Sequence, residues 1–189
     1  MSKGFKLLVK EKLQQYYAIS PFGEDGDINK DIILLYAGPH LIPMPNSSVR
    51  RKAIPYHDLH HLFTGYSNSR IGEGEIGAWE LGSNCWQRPI TVLLNLGGLS
   101  TGFLYSPRRM CKAFLRGCRS RNLYSLALNK IYTSKVTEIE SYMFVNTGKG
   151  DNRLFNYFGL FGYFSLAVLA IPFLLVWGWI YTQTNNKRI

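Results

Sequence analysis

The longest apolar stretch of the chain lies between Leu154 and Tyr181 and contains no charged residue. About 20 apolar residues suffice to cross the hydrocarbon core of a bilayer, so this stretch predicts one tilted transmembrane helix and is too short for two. Its tyrosine and tryptophan residues lie toward the two ends, as in the aromatic belts of membrane helices. Pro172 lies inside the stretch, where a span tolerates it as a kink.

The preceding part of the chain consists of shorter segments. Gly4–Ile19 mixes apolar and basic residues and predicts a short helix that ends before Pro21. His40–Ser48 contains two prolines and predicts extended chain. Pro89–Pro107 has no charge but many glycines and polar residues, which favours a buried helix, or one wall of an apolar groove, over a span. Pro107–Lys135 is basic throughout and predicts an amphipathic helix that suits either solvent or an anionic membrane surface.

Histidines concentrate in one place. Three of the four in the chain, His57, His60 and His61, fall within five positions. If Tyr56–Phe63 is helical, His57 and His61 are one turn apart and share a face. Asp58 lies beside His57 on the same helix and could also reach that face.

Carboxylates follow the histidines after a predicted turn. Thr64–Ser69 holds glycine, serine and asparagine, which stop helices and favour turns. A second helix from about Gly72 would bring Glu73 back toward the histidines, and Glu80 falls on the same side of that helix. Imidazole and carboxylate ligands together suit zinc, manganese or iron. His60 and Glu80 are candidates for supporting or alternative ligands, and a purely structural cluster stays an alternative.

Two known motifs compete for these histidines. His57-Asp58-Leu59-His60-His61 contains the H-x-x-H-H box of membrane desaturases and hydroxylases, but those enzymes use about eight histidines and this chain has four. The same residues are also near the H-E-x-x-H helix of zinc proteases, with Asp58 in place of the catalytic glutamate. A shorter carboxylate would hold a general base differently, and no Gly-x-x-His continuation follows.

A third resemblance covers more of the segment. The motifs that carry it are His57-Asp58-x-x-His61, Thr64-Gly65-Tyr66 and Gly72-Glu73. They resemble the signature of the coenzyme Q biosynthesis family whose founding member is the fourth Coq protein. That family carries H-D-x-x-H, eleven intervening residues and then glutamate, and eleven residues separate His61 from Glu73 here. The lead-in Pro43–Asn46 with Arg50-Arg51 is also similar to bacterial relatives, and the resemblance is specific over about Leu41–Leu81.

This resemblance implies a site and a function. The implied metal ligands are His57, Asp58, His61 and Glu73. The family implies a mostly helical fold, membrane association, a hydrophobic groove for a polyprenyl quinone precursor, and a role in replacing the ring carboxyl by a hydroxyl or in organising other enzymes of that pathway. The apolar C-terminal segment of this chain departs from the family pattern.

Charge and cysteine content narrow the partners and the compartment. The net charge of +10 favours an anionic partner, and without a nucleic-acid-binding signature we expect an anionic membrane rather than nucleic acid. Three cysteines without a C-x-x-C pair argue against a disulfide framework and indicate a reducing compartment. Arg153 and the basic body suggest that the main domain lies on the cytoplasmic face, although Lys187 and Arg188 beyond the span oppose this orientation.

The sequence therefore predicts an all-α fold, with a helical metal-binding domain over residues 1–150 and one C-terminal transmembrane helix as an anchor over residues 151–189. We expect one divalent ion, zinc first and manganese or iron otherwise, and an isoprenoid lipid partner. A second copy of the chain is a further candidate partner. Two other functions stay open: a non-enzymatic lipid-binding scaffold with a structural metal, and a metal-dependent membrane lipid hydrolase or hydroxylase.

Overall fold

The computed structural model describes residues 7–19, 28–145 and 152–185. In chain order the elements in these residues are α1 (Val9–Ile19), β1 (Ile32–Ala37), β2 (His40–Pro45), α2 (Ser48–Arg51), α3 (Ile54–Thr64), α4 (Arg70–Gly82), α5 (Pro89–Tyr105), α6 (Pro107–Cys118), α7 (Leu128–Thr133), α8 (Val136–Met143) and α9 (Arg153–Asn185). A short 3-10 turn, Cys85–Gln87, links α4 to α5. The predicted domain boundary between residues 150 and 151 lies outside the described residues.

The fold is mostly helical, but the predicted all-α class needs one correction. Strands β1 and β2 pair antiparallel as a hairpin, with Ile33 opposite Met44 and Leu35 opposite Ile42. Gly38 opens the two-residue turn with a φ of 59°, a conformation that glycine adopts at little cost. A six-residue apolar run is compatible with either helix or strand, and the turn with its extended partner strand decides for the strand.

The histidine segment folds as a helix, a turn and a second helix, as the spacing predicted. Gly65 caps the C-terminal end of α3 with a φ of 77°, and the backbone N–H of Gly65 donates to the carbonyl oxygen of His61. Helix α4 begins after Ser69, whose hydroxyl accepts a hydrogen bond from the backbone N–H of Gly72. Both breaks come from local residue chemistry, so they fall within a few residues of the predicted positions.

Helix α4 lies at the centre of the core, between α5 and α6. Its residues Ile76, Ala78 and Trp79 are fully buried. The contact with α6 is close, because a Cβ on Gly117 would overlap the carbonyl oxygen of Trp79. On the other side, a Cβ on Gly98 of α5 would lie 2.9 Å from the carbonyl oxygen of Glu73. Glycine therefore permits the approach that brings α5 against the start of α4.

The predicted helix over Pro107–Lys135 is shorter in the structure. Helix α6 ends at Cys118, and residues 119–127 form a loop before α7. In that loop the Asn122 side chain donates hydrogen bonds to the carbonyl oxygens of Ser83 and Asn84, 2.7 and 3.1 Å away. These contacts with the end of α4 come from tertiary packing, which a local pattern does not encode.

The C-terminal apolar stretch forms one long helix. Residues Leu154–Thr184 of α9 are long and apolar enough to cross a membrane. Most side chains of this helix are exposed, and only 17% of its most apolar window is buried against the rest of the chain. The orientation of the domain relative to a membrane stays a prediction.

Candidate metal centre

Three side chains from α3 and α4 converge on one point. The Nε2 atoms of His57 and His61 are 3.2 Å apart. The Glu73 carboxylate places one oxygen 3.4 Å from His57 Nε2 and the other 3.4 Å from His61 Nε2. Two ligand atoms at about 2.0–2.1 Å from a tetrahedral zinc ion are about 3.3–3.4 Å from each other. The two imidazole nitrogens therefore have the spacing of two corners of a tetrahedral site, and a carboxylate oxygen of Glu73 lies at the same distance from each of them. One ligand atom from each of the three residues lies within 4.8 Å of the other two.

Each histidine is held by its second ring nitrogen. His57 Nδ1 lies 3.0 Å from Glu80 Oε1, and His61 Nδ1 lies 2.9 Å from the carbonyl oxygen of Tyr66. Both partners are acceptors, so each Nδ1 carries the proton and donates. With Nε2 deprotonated, as metal binding requires, its lone pair would be directed at the shared point, which is the usual arrangement of metal-binding histidines.

Glu80 is the hub behind the site. Its side chain is fully buried. Oε1 accepts hydrogen bonds from His57 Nδ1 at 3.0 Å and from His60 Nδ1 at 2.7 Å. Oε2 accepts from Asn95 Nδ2 at 2.7 Å and from Tyr124 Oη at 2.8 Å. Four donors satisfy this buried carboxylate and keep the His57 ring in one orientation.

His60 supports the site without facing it. Its Nδ1 donates to Glu80, and its Nε2 accepts from the backbone N–H of Leu123 at 2.9 Å. Burial lowers the pKa of His60, which keeps the ring neutral as both contacts require. With both nitrogens engaged, His60 has a supporting role and is not placed as a ligand.

Asp58 lies outside the three-residue group, although it lines the same cavity. Its Oδ2 accepts a hydrogen bond from Tyr17 Oη at 2.6 Å. Successive residues of a helix point about 100° apart, so the neighbour of His57 faces α1 while His57 faces α4. Of the four predicted ligands, the structure thus brings His57, His61 and Glu73 together and directs Asp58 toward Tyr17.

The charges of the site favour a cation. Burial opposes ionisation of Glu73, but His61 and His57 outweigh it and hold the pKa of this carboxyl well below its usual value. Burial likewise opposes ionisation of Glu80, yet the adjacent His57 and His60 keep its pKa low. Burial alone would lower the pKa of His57, but Glu80 and Glu73 raise it above the ordinary value. The partly exposed Glu73 and the fully buried Glu80 therefore both stabilise positive charge at this point.

The site opens into a cavity of about 530 Å³. The apolar walls come from β1, its partner strand and α5, with Leu34, Leu35, Leu41 and Leu94 among the lining residues. His57, His61 and Glu73 lie in its wall. The cavity therefore combines a cluster of metal-ligating side chains with an apolar chamber, as binding sites for amphipathic small molecules do.

Sequence reasoning missed two parts of this arrangement. It did not anticipate that Tyr124, 44 residues beyond Glu80, would donate to that carboxylate. It also did not predict the strand Ile32–Ala37, which forms a wall of the cavity. The position of Glu80 near the site could be predicted, because its seven-residue spacing from Glu73 puts both carboxylates on one face of α4.

Comparisons with known proteins found no relative of this chain. No family model, no curated protein and no solved structure matches this chain. Membership in the coenzyme Q biosynthesis family therefore stays a prediction, and it rests on the motifs between Leu41 and Leu81.

Proposed function

We propose that the chain is a membrane-bound protein that holds one divalent metal ion through His57 Nε2, His61 Nε2 and the Glu73 carboxylate, and presents it to a lipid in the adjacent cavity. The observation that carries this proposal is the convergence of the three side chains at the wall of an apolar cavity, with the two Nε2 atoms 3.2 Å apart and a Glu73 oxygen 3.4 Å from each of them. Zinc is the preferred ion because two imidazoles and a carboxylate form a common zinc ligand set.

The number of ligands supports a reactive rather than a structural metal. Structural zinc sites are closed by four protein ligands, whereas catalytic sites use three and leave a position for water or substrate. Here three side chains converge from α3 and α4, and the cavity lies on the remaining side. A metal in this position would polarise a carboxyl or hydroxyl oxygen of a ligand, or activate a water.

The chain's own residues position and orient the ligand. Glu80 and the Tyr66 carbonyl orient the two imidazoles through Nδ1. Leu34, Leu41 and Leu94 supply an apolar surface for a hydrocarbon chain. Arg50 also lines the cavity, and a guanidinium suits a carboxylate or phosphate group of an amphipathic ligand.

The resemblance suggests which lipid fits. A polyprenyl aromatic acid has an isoprenoid tail for the apolar walls and a ring carboxyl for the metal. Replacement of that carboxyl by a hydroxyl releases carbon dioxide and removes two electrons, so it also requires a two-electron oxidant such as dioxygen. We therefore propose that the metal and the cavity bind a substrate of this class. The residues of the site would bind the aromatic ring and hold it in one orientation.

Elemental analysis of the full chain, purified in detergent, tests the metal. We expect about one ion per chain in the wild type and loss of that ion in His61→Ala and in Glu73→Gln. His40→Ala is the matched control, because His40 is exposed on β2 outside the cluster. Absence of metal after incubation with zinc, manganese and iron salts, or equal retention in all variants, would refute the site. Lipids extracted from the same samples identify the bound ligand. Turnover of that lipid by the purified chain would distinguish an enzyme from a non-enzymatic lipid-binding scaffold.

A further inference from the structure

The two histidines of the site are oriented by different parts of the fold. The partner of His57 is Glu80, a fully buried carboxylate of α4 that accepts four hydrogen bonds. The partner of His61 is the backbone carbonyl of Tyr66, 2.9 Å from Nδ1. Tyr66 lies in the turn between α3 and α4, outside regular secondary structure. The contacts that hold this turn therefore decide how the His61 ring is directed.

The His61 ring depends strongly on this carbonyl, because its side chain is only 2% exposed. A buried N–H that loses its acceptor bears the full cost of desolvation, so a displaced Tyr66 carbonyl would leave Nδ1 unpaired or turn the ring. Within the turn, the Tyr66 backbone N–H lies 3.5 Å from the Thr64 hydroxyl, which is longer than a normal hydrogen bond. This local contact therefore fixes the Tyr66 peptide weakly.

Helix α6 supplies a stronger contact with the turn. Arg116, in the last turn of α6, donates from Nη1 to the carbonyl oxygen of Thr64 at 2.8 Å. Thr64 is the last residue of α3, and the carbonyls at a helix C-terminus lack partners within the helix. They also form the negative end of the helix dipole, which a cation stabilises. Arg116 therefore caps α3 from 52 positions further along the chain.

The same guanidinium contacts the side chain of Tyr66. Its Cζ atom lies over the Tyr66 ring, 5.3 Å from the centroid, and over the Phe144 ring, 5.1 Å from the centroid. A planar guanidinium stacks on aromatic faces, and two rings restrict its orientation more than one ring does. Arg116 thus binds both the end of α3 and the residue whose carbonyl accepts from His61.

We propose that Arg116 is a positioning residue for His61 and acts through the Tyr66 carbonyl. Thr64 and Tyr66 flank Gly65, whose positive φ marks the point where the chain leaves the helix. Glycine gives the backbone its greatest freedom there. Contacts on both sides of Gly65 restrict the Tyr66 peptide to one orientation, and Arg116 makes both of them.

This role distinguishes Arg116 from an ordinary surface cation. The basic residues of this segment predicted a face for solvent or for an anionic membrane. Arg116 is exposed, but its guanidinium is directed to the turn between α3 and α4.

The effect on a metal rests on the proposed function, whereas the positioning of His61 does not. Outer partners of metal-binding histidines typically contribute 10–100-fold to metal affinity. Arg116 acts one contact further out than the Tyr66 carbonyl. Removal of its guanidinium should therefore raise the zinc dissociation constant by the lower figure, about 10-fold.

Proton–nitrogen correlation spectra of the full chain, with isotope-labelled histidine and a metal chelator in detergent, test the positioning. We expect a sharp Nδ1–H resonance of His61 in the wild type, assigned by its loss in His61→Ala. Arg116→Gln should broaden or shift this resonance and leave that of His57 unchanged, since Glu80 holds the His57 ring. Arg116→Lys should restore it in part, because an ammonium still donates to the Thr64 carbonyl.

Arg121→Gln is the matched control. Arg121 lies over a ring of α8, that of Tyr142, at 5.7 Å, and in the described part of the chain it has no contact with the turn. Its replacement should leave the His61 resonance unchanged.

Competition for zinc in the same variants gives the second measurement. We expect the rise in dissociation constant in Arg116→Gln and none in Arg121→Gln. An unchanged His61 resonance in Arg116→Gln, or an equal change in Arg121→Gln, would overturn the proposal. A lost resonance with unchanged zinc affinity would also overturn it. A wild type that binds no metal would refute the proposed function alone, because the spectra without metal still decide whether Arg116 positions His61.

Discussion

Replacing Glu80 by glutamine tests whether this buried carboxylate controls the metal site. Glutamine has the same shape and retains one oxygen to accept from His57 and His60. Its amide nitrogen would face Asn95 and Tyr124, and both can turn an oxygen toward it. The substitution therefore conserves the packing and removes mainly the negative charge behind the His57 ring.

The expected effect on metal affinity follows from this position. Outer partners of metal-binding histidines typically contribute 10–100-fold to affinity, which is about 1.4–2.7 kcal/mol. In the variant, His57 and His60 donate to a neutral instead of a charged acceptor. We expect each of these two weakened hydrogen bonds to lower the free energy of unfolding of the metal-free protein by about 1 kcal/mol. We thus expect a metal dissociation constant raised 10–100-fold and a Tm lowered by about 4–8 °C.

The assay is competition for zinc against a chromophoric chelator, with thermal unfolding followed in parallel. Glu75→Gln is the matched control. Glu75 is buried on the same helix, 7% exposed, but its carboxylate pairs with Arg109 and does not touch the histidines. The control should lose stability while its zinc affinity stays within about threefold of the wild type.

Equal zinc affinity in the wild type and in Glu80→Gln would refute the reasoning, since the charge behind His57 would then have no influence on the ion. An equal loss of zinc affinity in Glu80→Gln and Glu75→Gln would also contradict the reasoning, because the loss would then reflect a general destabilisation of α4.

Three further predictions follow from other parts of the fold. Gly117→Ala places a methyl group against the carbonyl oxygen of Trp79 and should cost about 1–3 kcal/mol, seen as a lower Tm, whereas Gly162→Ala enters open space and should leave Tm nearly unchanged. Burial raises the pKa of Cys85 to about 12, so its thiol is protonated at pH 8 and becomes reactive only as the pH rises toward 12; mass spectrometry should find it unmodified by iodoacetamide at pH 8 in the native chain and modified in urea. Leu34→Asp adds a charge to an exposed apolar position of the hairpin and should reduce binding of the chain to anionic vesicles in a flotation assay, and undiminished binding would argue against a membrane contact at the hairpin.

Local pattern alone predicted the parts of the site that depend on helix periodicity. His57 and His61 share a face because residues four apart on a helix always do. Gly65 and Ser69 mark the end of α3 and the start of α4, because each residue type satisfies the backbone groups at that end. The turn between them returns Glu73 to the histidines, and the length of the apolar C-terminal stretch predicted a single long helix.

Tertiary packing decided the rest. Tyr124 and Leu123 reach Glu80 and His60 from a loop more than 40 positions away, and Tyr17 binds Asp58 across 41 positions. Contacts between such distant residues depend on how helices pack, and helical periodicity carries no information about that packing. The sequence determined that α9 would be long and apolar. Only the tertiary structure decided which face of α9 packs against α5 and the hairpin, because length and apolar composition do not say which side of a helix meets its neighbours.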